Sequence, residues 1–270
     1  MRANPPLAIA LLCSAPLLAA EPLQSLDQFK HEIITELLSD PRLRQVIREE
    51  IRAQEKRRAL ARIQNKMERQ KAQIERLKKH LRPIDPKRDH IYGNPNAPVS
   101  VIEFSDFECP YCRKIHPTLK KLVHDSRGTI NWVFRHMPAD FHNPNAKMEA
   151  EAAECAAYLA GNESFWIFSE KLFLQPKRGK QDRQAAIRQA AKAAGISFDD
   201  LSSCVSEGRF RTKVEQDAEE AKRLGLIGTP ANILVHHTSG RMILRQGAAS
   251  LLRLRLDIAK LNAAQEKPGH

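Results

Sequence analysis

The chain has 270 residues, 42% of them hydrophobic and 28% charged, with a formal net charge of +12. That length accommodates one domain of ordinary size and a further segment. Residues 41–82 hold fifteen Lys plus Arg against five Asp plus Glu, so ten of the twelve net charges sit in one stretch and the rest is near neutral. A basic helix can bind nucleic acid, anionic lipid or an acidic partner, and in a chain expected to be exported nucleic acid is not the expected one.

Met1 to Ala20 has one Arg near its start, the apolar core Leu7-Ala8-Ile9-Ala10-Leu11-Leu12 and a small-residue end at Ala19-Ala20. This predicts a cleavable secretory signal peptide over 1–20, too short to span a membrane, and hence a periplasmic location. Leu12 before Cys13 is too large for a usual lipid-attachment box. Export leaves four of the five cysteines in a compartment that permits disulfides.

Residues 21–82 read as a helical oligomerisation arm. Leu26, Phe29, Ile33 and Leu37 have helical spacing, Pro41 opens a second helix, and no Pro or Gly interrupts it as far as Leu81. Leu60, Ile63, Met67, Gln70, Ile74, Leu77 and Leu81 step by three and four as heptad a and d positions, while Glu49 and Lys56 spoil the upstream d positions. A lone helix cannot bury so narrow a stripe, so residues 23–51 are expected to self-associate, with the later helix as a stalk. A solvated basic stalk is the plainer alternative. Pro83 and Pro86 among the charges of Asp85-Lys87-Arg88-Asp89 mark a linker over 83–90, before a domain at 91–264.

Val99-Ser100-Val101-Ile102-Glu103-Phe104 predicts a buried strand, and the segment after Pro110 a helix with Ile115, Leu119 and Leu122 on one face. Cys109-Pro110-Tyr111-Cys112 therefore lies where a strand ends and a helix begins. There the unpaired N–H groups and positive dipole end favour a Cys109 thiolate, with Arg113 and Lys114 adding charge. Cys112 can close a disulfide with Cys109 or attack a mixed disulfide held on it, and Pro110 suits the first helical turn. Zinc needs four ligands in structural sites, and no second Cys pair accompanies the first; His136 and His142 are six apart on an expected loop, so no metal is assigned. Glu103 is an acid inside an apolar strand, which burial makes costly unless it is neutral or partnered. Thr229-Pro230 heads the strand-like Ala231 to Val235, where proline marks a turn and less often a cis bond.

A strand at 129–134 follows, then an insertion over about 143–209 with helices near 145–160, 163–174, 182–194 and 199–207, and Phe165, Trp166, Leu172 and Phe173 as its core. A helix near 210–224, strands at 231–235 and 242–246 and a helix at 250–261 close the domain.

Asn94 to Val99, Phe104 through Cys112, Phe134-Arg135-His136, Ala152 to Ala156 and Gly228-Thr229-Pro230 together resemble the DsbA-like thiol:disulfide oxidoreductases of the thioredoxin superfamily, over roughly residues 88–262. The arm adds a similarity to oligomeric ScsC- and DsbC-type members. The resemblance implies an α/β thioredoxin fold with an inserted helical domain, preceded by the long helical arm. It implies Cys109 as nucleophile, Cys112 as resolving cysteine, Glu103 as buried proton-transfer acid and Pro230 as a cis-proline behind Thr229, with no resident cofactor. Pro110 and Tyr111 are the redox-tuning pair. Many oxidising members carry His in that pair, and Tyr111 offers no such charge. Cys155 and Cys204 are expected to form a second, structural disulfide, the alternative being two buried free thiols. The expected partners are exported cysteine-containing clients, a DsbB- or DsbD-like membrane redox protein and further copies of the chain. A client-binding, holdase-like protein with a secondary thiol site is the reading from another class.

Overall fold

A computed structural model describes residues 26–175 and 180–263. The signal peptide expected over 1–20 and the first residues of the expected seam lie outside them. The described residues fall into two compact units that divide between Lys66 and Met67.

Helix α1 spans Leu26–Ser39 and helix α2 spans Pro41–His80. The break at Asp40 is local chemistry. Pro41 cannot donate a backbone hydrogen bond, and Asp40 Oδ1 accepts from the Arg42 N–H at 2.7 Å, capping α2. After that cap, a run rich in Ala, Leu, Arg, Lys, Gln and Glu carries α2 through 40 residues. In the single chain Phe29, Ile33, Ile34, Leu37, Val46 and Ile51 are exposed.

The second unit corrects the expected boundary at residue 82. Ile74, Leu77 and Leu81, read as heptad positions, pack within their own chain against Ala221, Leu224 and Leu226, and Leu77 is 0% exposed. Gln73 Nε2 donates to the Leu224 carbonyl at 2.7 Å. Heptad spacing reports an apolar stripe, whatever covers it. Nor is 83–90 a free linker. Arg135, fully buried, bonds Asp89 Oδ1 at 3.1 Å, Glu220 Oε1 at 2.8 Å and the Arg82 and Pro83 carbonyls at 3.1 and 3.2 Å. Arg82 adds two bonds to the same Asp89 carboxylate. Burial alone would raise the Asp89 pKa, yet Arg135 and Arg82 hold it below the usual value. A domain beginning at 91 would omit this anchored segment.

The sheet has the order β1-β3-β2-β4-β5. Its strands are β1 (His90–Tyr92), which the sequence reading did not anticipate, β2 (Val99–Ser105), β3 (Ile130–His136), β4 (Ala231–His236) and β5 (Arg241–Gln246). β2 and β3 are parallel and the other pairings antiparallel. Side chains alternate across β2, and both faces are covered. Val99 and Val101 join Trp132, Phe134 and Leu234 in one cluster, whereas Ile102 and Phe104 join Val133, Ile233 and Val235 in another. Burial on both faces explains why β2 reads as an apolar run without alternation.

Helix α3 (Pro110–Asp125) lies on the first face, with Ile115, Leu119 and Leu122 buried there as expected. The insertion contains α4 (Asn145–Leu174), α5 (Lys180–Ala193) and α6 (Phe198–Ser206), followed by α7 (Arg211–Arg223). The two helices expected at 145–160 and 163–174 run on as α4, with a kink at Gly161, whose φ of 86° suits a residue lacking Cβ. Phe165, Trp166, Leu172 and Phe173 are buried in the first cluster, and a disulfide joins Cys155 of α4 to Cys204 of α6. Helix α8 (Leu251–Ala263) completes the unit.

Candidate active site

β2 delivers two polar side chains to the face that α3 covers. Glu103 and Ser105 are two residues apart and therefore share a face; both are buried, and the Ser105 hydroxyl donates to Glu103 Oε1 at 2.8 Å. Beyond the strand, Asp106 organises the turn. Its Oδ1 accepts from the Glu108 N–H at 2.8 Å, and its Oδ2 accepts from the Ala139 N–H at 2.9 Å and from His142 Nδ1 at 2.7 Å. Its carbonyl accepts from the Cys109 N–H at 3.0 Å, and its own N–H points at Cys112 Sγ from 3.5 Å. One residue thus ties the cysteine loop to the segment after β3.

Cys109 is the extended N-cap residue of α3 and Pro110 follows at its first helical position. The two cysteines are free thiols: Cys109 is 5% exposed and Cys112 fully buried. Thr229-Pro230 is a cis bond, and Cys109 Sγ lies 3.3 Å from the Thr229 carbonyl oxygen. The fold therefore brings Glu103, Cys109, Pro110, Cys112, Thr229 and Pro230 to one place. Tyr111 stays at the surface, 61% exposed. Cys155 and Cys204 are elsewhere, in the insertion.

The pair titrates asymmetrically. A hydrogen bond from the Cys112 thiol, opposed by burial and helped by Thr229 and the N–H groups of Cys112 and Tyr111, brings the Cys109 pKa down to about 5. Burial pushes Cys112 well above its ordinary value, and the Cys109 and Glu103 charges push it further. Burial likewise raises Glu103 to about 8. The leading influences on Cys109 are thus hydrogen bonds, including helix-start N–H groups, rather than the expected charges of Arg113 and Lys114. The arrangement favours a thiolate at Cys109 and keeps Cys112 protonated beside a buried carboxyl.

A groove of about 800 Å³ opens at Cys109, with Tyr111, Met137, Phe141, Ile227 and Thr229 among its walls. Phe141 is 84% and Ile227 90% exposed. Neither residue carries a pattern that separates it from core residues in the sequence. His136, expected on a loop with His142, ends β3 and bonds Glu154 Oε1 at 2.8 Å, while His142 is held by Asp106.

A family model described as thioredoxin matches residues 85–242. The chain belongs to this thioredoxin family. Within the fold its likeness is to DsbA-type structures. The thiol-disulfide exchange protein alpha-DsbA2 of Wolbachia pipientis aligns with a TM-score of 0.61 at 22% identity, covering 72% of this chain and 98% of that one. DsbA2 of Pseudomonas aeruginosa aligns with a TM-score of 0.56 at 24% identity, covering 67% and 98%. A linker-deleted mutant of Proteus mirabilis ScsC aligns at 0.56 and 16% identity over 92% of this chain and 99% of that one, so this likeness extends into the N-terminal helices. A curated relative, the Na(+)/H(+) antiporter NhaA 3 of Salinispora tropica, is 35% identical over 150 residues, which is 55% of this chain and 22% of the antiporter. The chain thus spans about a fifth of the length of the curated relatives it matches. Its thioredoxin-family domain holds the cysteines, the acid and the cis-proline, and the residues before 67 lie outside the matched segment.

Proposed function

We propose that this thioredoxin-family oxidoreductase forms or isomerises disulfide bonds in exported proteins through Cys109-Pro110-Tyr111-Cys112. The observation that carries the reading is geometric: two free cysteines open α3, Cys109 lies 3.3 Å from the carbonyl of the cis Thr229-Pro230 bond and Cys112 is buried beside a buried acid, an arrangement that lowers the Cys109 pKa and raises that of Cys112. In oxidation a client thiolate attacks Cys109 Sγ of the disulfide, Cys112 leaves, and a second client thiol then displaces Cys109. In isomerisation the Cys109 thiolate attacks a wrong client disulfide, and Cys112 releases the client if reshuffling stalls. The apolar groove beside Cys109 suits unfolded polypeptide, and a DsbB- or DsbD-like membrane protein would reset the pair.

The exposed apolar residues of α1 and early α2 support self-association through residues 23–51, which would present several thiol sites to one client and raise the effective concentration of the second thiol. The signal-like residues 1–20 support export to the periplasm. Antiport is not part of this reading: the match covers 22% of the antiporter, and among the described residues no helix is long and apolar enough to cross a membrane.

Ultraviolet absorbance of the reduced protein tests the redox reading. A thiolate titrating near pH 5 and assigned to Cys109 by selective alkylation is expected; an unshifted Cys109 overturns the assignment. Light scattering of the full mature chain beside an Ile33→Asp/Leu37→Asp variant tests assembly. An oligomer that the variant reduces to monomer is expected, along with retained oxidation of dithiol peptides and loss of most refolding of a scrambled multi-disulfide substrate. A monomeric parent chain would favour the holdase-like reading, which a Cys109→Ser/Cys112→Ser protein tests by its ability to suppress client aggregation.

A further inference from the structure

Any use of the cysteine pair must move a proton on and off Cys112, which is fully buried. Glu103 is the buried carboxyl near it, and Ser105 is that carboxyl's hydrogen-bonding neighbour. Ser105 follows Glu103 on the same strand face, is itself buried, and donates to Glu103 Oε1 at 2.8 Å. The chain turns immediately after Ser105, so that the next residue, Asp106, directs its N–H at Cys112 Sγ from 3.5 Å. Cys112 belongs to the cluster on this same face of β2, with Val99 and Val101, and the Ser105 hydroxyl there favours its thiolate. A hydroxyl is donor and acceptor at once, so it can take a proton from one group while giving its own to another.

We propose that Ser105 is the proton relay between Glu103 and Cys112, and the residue that holds the acid in register with the resolving thiol. The proposal rests on the reading of Cys109 and Cys112 as the redox pair. When a mixed disulfide on Cys109 is resolved, the Cys112 proton passes to Ser105 Oγ and the Ser105 proton to the Glu103 carboxylate. The Cys112 thiolate then attacks Cys109 Sγ, the Cys109–Cys112 bond forms, and the client sulfur leaves with the electron pair of the broken bond. When a client thiolate opens the Cys109–Cys112 disulfide, the same path runs backwards and neutral Glu103 supplies the proton that the departing Cys112 takes up.

The surroundings leave the path little competition. The titratable groups acting on Cys112 are Glu103 and Cys109. On α3, His116 lies one turn beyond Cys112 and is buried, with its pKa pushed down to about 4, so it stays neutral through the working range. The residues paired with Glu103 across the sheet are Phe134 on β3 and Asn232 on β4, and Trp132 lies beside them; none of the three titrates.

Stopped-flow absorbance with an aromatic disulfide that releases a coloured thiolate separates the two sulfurs. The first phase reports attack by Cys109, and the second reports Cys112 displacing the thiol left on Cys109. Ser105→Ala is expected to leave the first phase unchanged, slow the second at least tenfold at pH 7 and move its pH profile upward, whereas Ser105→Thr restores the rate. If the hydroxyl works through the acid, Ser105→Ala adds no further slowing to Glu103→Gln. A second phase unchanged by Ser105→Ala overturns the proposal, as does a slowing that multiplies undiminished in the Glu103→Gln background. Should Ser105→Ala fail to fold, a proton inventory of the second phase in the parent protein decides: a bowed dependence on deuterium fraction, from two protons in transit, supports the relay, and a linear one overturns it. Absence of any fast first phase in the parent would instead sink the redox reading beneath it.

Discussion

Two buried carboxylates of this molecule, Glu103 and Glu154, are almost equally shielded from water and have opposite fates. Burial pushes Glu103 up to about 8, and the groups around it offer neutral hydrogen bonds from Ser105, at 2.8 Å, and Trp132 but no cation. Burial also acts to raise Glu154, but His90, His136 and Lys213 overcome it and hold the acid well below its ordinary value. His90 Nε2 lies 3.1 Å from Glu154 Oε2 and His136 Nε2 lies 2.8 Å from Oε1, while the Lys213 ammonium pairs with Oε1. A surrounded carboxylate is a fixed charge that joins β1, β3, α4 and α7. One left nearly alone is a proton store. Depth sets the cost of ionisation, and partners decide whether it is met.

Removing the surrounded charge should have the largest effect. Glu154→Ala leaves a lysine ammonium and two imidazoles facing a hole, and such loss of one partner from a buried pair costs about 3–5 kcal/mol. Urea denaturation should show that loss while the Cys109 thiolate still titrates near pH 5. An equal loss of Cys109 reactivity in folded protein would mean that the two regions are not separable.

Glu103→Gln should work in the opposite direction. With a folded pKa near 8 and an ordinary value of 4.5, the carboxyl is neutral in both states below about pH 4.5. Above that the unfolded chain ionises and the fold does not, so stability falls as pH rises towards 8 and then levels off. At pH 7 the deficit is on the order of 3 kcal/mol, which the glutamine abolishes. The variant should therefore melt higher than the parent at pH 7 and equally at pH 4, while exchanging thiols more slowly through Cys112. Glu154 has the reverse dependence: its contribution is present above the ordinary carboxyl pKa and is lost as pH falls through its depressed one.

The smallest effect belongs to Ser105→Ala, which removes one neutral hydrogen bond to Glu103 and should cost about 1 kcal/mol at pH 4 by urea denaturation. A cost matching that of Glu154→Ala would show that Glu103 depends on its partner as strongly as Glu154 does.

The contrast also marks what could be read from the chain. Glu103 is legible because its context is local: an acid inside Val99–Phe104, six residues before Cys109, on a strand whose apolar run demands burial. The cysteine pair stands out by residue type, whereas the role of Pro230 enters through the family resemblance and the Cys155–Cys204 bridge through expected export and that resemblance. Glu154 does not, for its partners are at 90, 136 and 213, and no periodicity joins residues that meet only when four elements pack. The anchoring of Asp89 by Arg135 is hidden in the same way, so 83–90 reads as a linker from its prolines and charges. β1 is only three residues long and has too little pattern to declare itself.

Helix α2 has a consequence for anyone recombining this molecule. Leu77 fills the domain core and Gln73 satisfies a carbonyl at the end of α7, so the last turns of α2 are as much domain parts as any strand. A graft or shortened version starting at Pro83 would uncover Leu224 and Leu226 and take away Arg82 from the Asp89 cluster. The usable junction is near residue 66, within an unbroken helix, where two sequences can be spliced only in helical phase.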